Sequence, residues 1–220
     1  MLRISLRMVF VVLTALCVIL AIEVRKAERQ KVAVAWVEEM GGSVAYDHEV
    51  NKDGEWMIDP VPPERPGPNW LRDLIGVDYF ETVVTVGFLD RDMTDLSPLG
   101  NLPQLRVLHV NGGHIHSPEL TPLANLTELK TLDLSGTHVS DVSPLANLTN
   151  LEDLDLSHTH VNGLLPLAIL TNLKTLGLQD ITISNEEIAT LQSALPNCMM
   201  VRTGSVSALP IILTPLRNED

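Results

Sequence analysis

LTELKTLDLSGTHVSDVSPLAN (126–147) runs without a break into LTNLEDLDLSHTHVNGLLPLAI (148–169), and the two stretches share nearly all of their apolar positions. Downstream, LTNLKTLGLQDITISNEEIATLQSA begins at Leu170. Upstream, LPQLRVLHVNGGHIHSPELTPLAN begins at Leu102 and FETVVTVGFLDRDMTDLSPLGN at Phe80. The period is 22 residues with one unit of 24, and the shared frame is LxxLxxLxLxxTxVxxxxPLxx. One such unit cannot bury its own apolar face, whereas stacked units bury a continuous core, so the pattern predicts a solenoid.

Within LKTLDLSGTHV, Leu129, Leu132, Leu134 and Val139 are expected to point inward, with one strand at Thr131–Leu134. Stacked strands then form a parallel sheet about 4.8 Å apart. Ser97-Pro98, Thr121-Pro122 and Ser143-Pro144 follow on the convex side, each offering a hydroxyl N-cap and a proline for one short helical turn. Leu165-Pro166 lacks the hydroxyl and should be less well capped. Gly113, Thr137, Thr159 and Ile181 stand where an Asn would bond the neighbouring turn, and Ile181 suggests that the regular stack ends at the fifth unit. A leucine frame of this length is the leucine-rich-repeat signature. With its following PL, the region resembles the 22-residue bacterial repeats of the internalin-like class over about 120 of 220 residues. The whole layout resembles bacterial single-pass proteins with a short anchor, a GGSVAYD-like linker, a GPNWLRDLIGVDYF-like segment and then repeats. The resemblance implies protein–protein interaction and supplies no catalytic residues.

The N-terminus follows other rules. Met8 to Ile22, MVFVVLTALCVILAI, carries no charge. Extended from Leu6 to Val24 it gives about 19 residues, or roughly 28 Å of helix, enough to cross a hydrocarbon core. No small-x-small cleavage site follows, and Leu16 before Cys17 does not fit a lipoprotein signal, so an uncleaved anchor is expected. Arg3 and Arg7 precede the run, while Arg25, Lys26, Arg29 and Lys31 follow it. The positive-inside count is therefore contradictory, and an extracytoplasmic repeat domain, as for a signal anchor, is the expectation. The basic stretch is also suited to anionic headgroups.

Residues 23–40 read as helix closed by Gly41-Gly42, then SVAYDHEV as strand, DPVPPERPGPN as a stiff loop, and WLRDLI as a short helix capped by Asn69. Trp36, Trp56 and Trp70 are expected to plug the open end of the core. Ser184 to Glu187 forms a capping box for a helix to about Leu195, with a last strand near Met199–Val201. The expected organisation is a tail at 1–7, a transmembrane anchor at 8–22, a helical linker and N-terminal cap at 23–79, the repeat domain at 80–201, and a tail at 202–220. The fold class is α/β: a short leucine-rich-repeat solenoid of about five 22–24-residue repeats with a parallel concave sheet. An N-terminal α+β cap and a C-terminal capping helix close it, and one transmembrane helix precedes it.

Residues 1–31 carry +4, with six Lys/Arg against Glu23 and Glu28, and the remainder carries −17. An acidic body repels phosphates, so nucleic acid is not expected as a partner. The two cysteines lie in unrelated segments and imply no disulfide framework. The sequence holds no nucleophile elbow, phosphate loop, HExxH or CxxC, so neither an enzyme nor a cofactor is expected. Asn125-Leu-Thr and Asn147-Leu-Thr match a glycosylation pattern that the repeat frame itself demands.

Residues between the inward leucines should face the concave surface. The candidate partner-binding set is His109, Asn111, Thr131, Asp133, Asp153, Asp155, Ser157, His158 and Gln179. Asp133 and Asp155 should be direct neighbours across the sheet, a costly like-charge pair. His109, His158, a cation or a basic partner would relieve it. The expected role is therefore a membrane-anchored module that binds a protein, one with a basic surface, through the concave face. The alternatives are a self-associating envelope protein, or metal or small-ligand binding through His114, His138 and His160, which lack a carboxylate or Cys to complete a shell.

Overall fold

The computed structural model describes residues 6–50, 70, 81–89, 95–112 and 119–202. Helix α1 spans Leu6–Glu39. The expected anchor and linker helix are thus one 34-residue rod, because IEVRKAERQK contains no Gly or Pro to stop it. It ends where Gly41 takes φ 71°. There the Gly42 N–H donates to Val37 O and the Gly41 N–H to Glu38 O, at 2.8 and 2.9 Å, the paired bonds of a Schellman cap.

The rod has two halves. Every residue from Met8 to Lys26 is exposed, apolar ones included. From Ala27 onward one face turns inward through Gln30, Ala33, Val34 and Val37, a spacing that follows the helical period. Ala33, Val34 and Val37 join the same core as Val83, Phe88, Leu99 and Leu102. The far half of α1 is therefore the lid of the solenoid. Trp36 meets Phe88 edge-on with ring centroids 5.6 Å apart. Trp70, by contrast, is 67% exposed and plugs nothing, and Trp56 lies outside the described residues.

Strand β1 (Ser43–Tyr46) pairs antiparallel with β2 (Val83–Leu89). Strands β3 (Val107–Asn111), β4 (Thr131–Asp133), β5 (Asp153–Asp155), β6 (Thr175–Gly177) and β7 (Met199–Val201) then add in sequence order, each parallel to the last. Short 3-10 turns return the chain along the convex side at Ser97–Asn101, Thr121–Asn125, Ser143–Asn147 and Leu165–Ile169. In the fifth unit helix α2 (Asn185–Ala194) takes that place. The interior is a ladder of leucines, for example Leu132, Leu154 and Leu176, each at or below 1% exposure. Their backbones sit opposite one another in register.

Two expected local devices work differently. The Ser and Thr hydroxyls do not cap the convex turns, which begin one residue earlier at Leu96, Leu120 and Val142. Acceptors come instead from Asp95 and Asp141, whose Oδ1 atoms each take the N–H two residues on at 2.8 Å. Ser97 and Ser143 side chains, then their backbone N–H groups, hold these carboxyls below the usual range. At the hydroxyl-free turn, the Leu164 N–H donates to Glu187 Oε1 of α2 at 2.5 Å. Ser184 Oγ still accepts the Glu187 N–H at 3.2 Å, so one half of the capping box forms while the other half serves the neighbouring turn. Thr137 and Thr159, in the ladder where Asn was sought, donate to Leu134 O and Leu156 O of their own turns. Inter-turn amide bonds come from another column: Asn150 and Asn172 donate to Thr127 O and Thr149 O.

Candidate interaction face

Two outward rows run across the strands. One is Thr85, Val107, Thr131, Asp153, Thr175 and Met199, and the other is Gly87, His109, Asp133, Asp155, Gly177 and Val201. Asp133 and Asp155 are therefore cross-strand partners, as their offsets require. Parallel pairing of two carboxylates at this spacing is repulsive, and their side chains resolve it by leaning apart.

Asp133 leans towards β3. Its Oδ2 accepts from Asn111 Nδ2 at 3.0 Å and lies 3.6 Å from His109 Nδ1, while Oδ1 accepts the Ser135 N–H at 2.9 Å. Burial pushes the Asp133 carboxyl up, but hydrogen bonds from His109 and Ser135 and the His109 charge outweigh it, leaving the group below its ordinary value. Asp155 leans the other way, over β6. A Cβ on Gly177 would sit within 2.6 Å of Asp155 Cγ, so this carboxylate occupies the space that glycine leaves. Its Oδ1 accepts the Ser157 N–H at 2.8 Å, and Ser157 Oγ accepts the Gln179 N–H at 3.2 Å. The lowered Asp133 value fixes the sign of a pH effect. A carboxyl whose folded pKa is depressed contributes fully above the unfolded value, roughly pH 4, and loses that contribution as pH falls through the folded value. Urea unfolding of Asp133→Asn should accordingly show a smaller loss of stability than the parent between about pH 5 and the acid limit. Parallel acid profiles would count against this assignment.

Not all nine candidates present themselves alike. His109, Asp133 and Ser157 are buried, and Asn111, Thr131, Asp153, Asp155 and Gln179 are half-buried. His158 is off the strand. It occupies the turn position that Gly112 and Gly136 hold in earlier units, with φ 59°, and its Nδ1 lies 3.1 Å from Asp180 Oδ2 in the next unit, where φ is 54°. His138 and His160 rings stand 4.9 Å apart, and His114 lies outside the described residues. Among the described residues no three His, Cys, Asp or Glu side chains are grouped to hold a metal. Cys17 is exposed and Cys198 buried; burial, then the Asp153 charge, pushes the Cys198 thiol up to about 11.

Residues 127–169 match the family model of leucine-rich repeats in two copies. With the parallel ladder and its 3-10 returns, that match decides the class. The solenoid is a leucine-rich-repeat domain. Among similar solved structures is an internalin (inlF) of Listeria monocytogenes, 34% identical, with a TM-score of 0.47. The match covers 52% of this chain and 33% of that one, so the chain spans about a third of its length. An internalin C2 (inlC2) of the same organism is 31% identical with a TM-score of 0.43, over 60% of this chain and 68% of that one. A leucine-rich-repeat protein of Leptospira interrogans is 20% identical with a TM-score of 0.44, over 62% and 40%. No curated protein matches the sequence.

The leucine-rich-repeat domain has a second polar surface that sequence reasoning passed over. Just before the strands, Glu128, Lys130, Asn150, Glu152, Asn172 and Lys174 line a groove of about 400 Å³. Glu152 Oε1 lies 3.9 Å from Lys130 Nζ, and Glu152 also pairs with Lys174. The signal was present as Lys, Glu and Lys at one repeat offset, in LKTL, LEDL and LKTL. These opposite charges satisfy one another, unlike the acidic centre of the sheet.

Proposed function

We propose that this chain is a membrane-anchored interaction module that captures a protein with a basic surface on its concave sheet. Leucine-rich-repeat domains generally bind proteins, and the exposed strand face is the part of this one free of core duties. The observation that carries the reading is the pairing of Asp133 with Asp155 in register, with Asp153 on the adjacent row. Half-buried Asp153 and Asp155 are the members that reach solvent, so they, with Thr131, Asn111 and Gln179, form the contact centre. Asp133 and His109 brace it from beneath. A partner's Lys or Arg would neutralise the two carboxylates and gain affinity that falls with salt. The role needs no catalytic group or cofactor. Helix α1, long and apolar enough to cross a membrane, supplies the anchor, with the repeats on the extracytoplasmic side.

The test uses the full chain in mild detergent as bait beside Asp153→Lys/Asp155→Lys. Capture of a partner by the parent at low salt, with recovery at least tenfold lower on the variant and an unchanged circular-dichroism melt, is the expected result. Equal recovery on both baits would move the binding surface elsewhere.

A further inference from the structure

The geometry points to a second membrane contact: the first coil of the repeat domain rests directly in the phospholipid headgroup layer, held there by the unbroken helix α1. The inference builds on the reading of α1 as a membrane span. The apolar stretch closes at Val24 and the first buried residue of the lid is Ala27. Three residues of helix rise only about 4.5 Å. The headgroup layer on each side of the hydrocarbon is about 5–7 Å deep. Gln30, about 9 Å beyond Val24 along the rod, is already fastened to the sheet. Its Nε2 donates to Glu81 O at 2.8 Å and its Oε1 accepts the Val83 N–H at 3.1 Å. No loop separates membrane from solenoid, so the distance between them is set by the helix.

Charge favours the same placement. Arg25, Lys26, Arg29 and Lys31 are all exposed around this junction, on a chain whose remainder is strongly acidic. Lys26 and Arg29 line a groove of about 270 Å³ between α1 and the first coil together with Glu23 and Glu81, and its other wall is Gly100 to Gln104. Lys26 is paired with Glu23 at 2.9 Å, but that pair is more than half exposed on both sides and exchanges readily with lipid phosphate. Each basic side chain near an anionic surface contributes attraction that fades within a Debye length. The occupant of this face is thus the anionic phospholipid headgroup layer, met by the exposed Arg25, Arg29 and Lys31.

The experiment uses the full chain carrying Cys17→Ser, with an environment-sensitive probe on Gln104→Cys or, at the far end of the stack, Gln192→Cys. Cys198 is buried and escapes labelling. The protein is reconstituted in phosphatidylcholine–phosphatidylglycerol vesicles that contain a headgroup-nitroxide lipid. Quenching of the Gln104 probe at least threefold stronger than that of the Gln192 probe is expected. Inserting Gly-Ser-Gly-Ser between Arg25 and Lys26 should erase the difference while flotation and the melt stay unchanged. If the chain floats with vesicles but both probes quench equally, the headgroup contact is wrong and the anchor stands. If quenching at Gln104 survives the insertion, the rigid-helix account is wrong. If the chain does not float, the anchor and the contact fall together.

Discussion

Leu167→Ala is expected to lower the free energy of unfolding by about 3 kcal/mol, while Leu165→Ser, two residues earlier in the same turn, changes it by less than about 0.5 kcal/mol. Leu167 is fully buried in the leucine ladder and Leu165 is 55% exposed. Removing the first leaves a cavity that neighbouring units cannot close, since each is pinned from both sides by strand pairing. Removing the second restores the polar residue that Ser97, Thr121 and Ser143 provide at the same offset. Chemical denaturation in mild detergent, followed by far-ultraviolet circular dichroism, reads both. Equal losses would mean that the convex turn, and not the ladder, sets the stability of the fourth unit.

Gly42→Ala carries the next largest effect, a loss of about 2 kcal/mol. A Cβ there would lie 2.6 Å from Phe88 Cδ1 and Cε1 and 2.8 Å from Val37 Cγ1. The ring cannot withdraw freely, because Phe88 is 1% exposed and Trp36 meets it from the lid. The lid must therefore lift, and in a Trp56→Phe/Trp70→Phe background Trp36 should report it as a red-shifted emission at denaturant concentrations where the repeats remain folded. Loss of stability without a change in Trp36 emission would show that the damage spreads through the sheet instead.

The repeats were legible because their physics is periodic. A leucine that recurs at a fixed offset has one explanation, and five copies remove the ambiguity of each. Strand positions and the acidic neighbours both follow from that register. What escaped was set by tertiary neighbours or by missing interruptions. The apolar stretch and the lid look like separate segments since one is apolar all round and the other along one face, yet no Gly or Pro interrupts the helix before Gly41. The hydroxyl-then-proline pattern points to hydroxyl caps, whereas Asp95 and Asp141 stand two residues upstream of Ser97 and Ser143 and their carboxylates take those N–H groups. The opposite leans of Asp133 and Asp155 depend on Asn111 in one neighbouring unit and Gly177 in the other, and no single repeat contains that information. The strand register of these residues thus follows from the repeat, whereas how far each reaches solvent does not.

The first strand of the sheet also bears on how copies of this protein can assemble. A stack of parallel strands is directional, and such objects polymerise without limit when the tail edge of one fits the head edge of the next. Among the described residues the head is β1, four residues long, opposed in direction to the other strands, and broken in register between Ala45 and Tyr46. A short, irregular edge of that kind is a poor template for another strand. Among the described residues the other edge is β7, where joining two copies by a twofold axis would consume both growing ends. Assembly through these two edges would then stop at a pair and not run on into fibres.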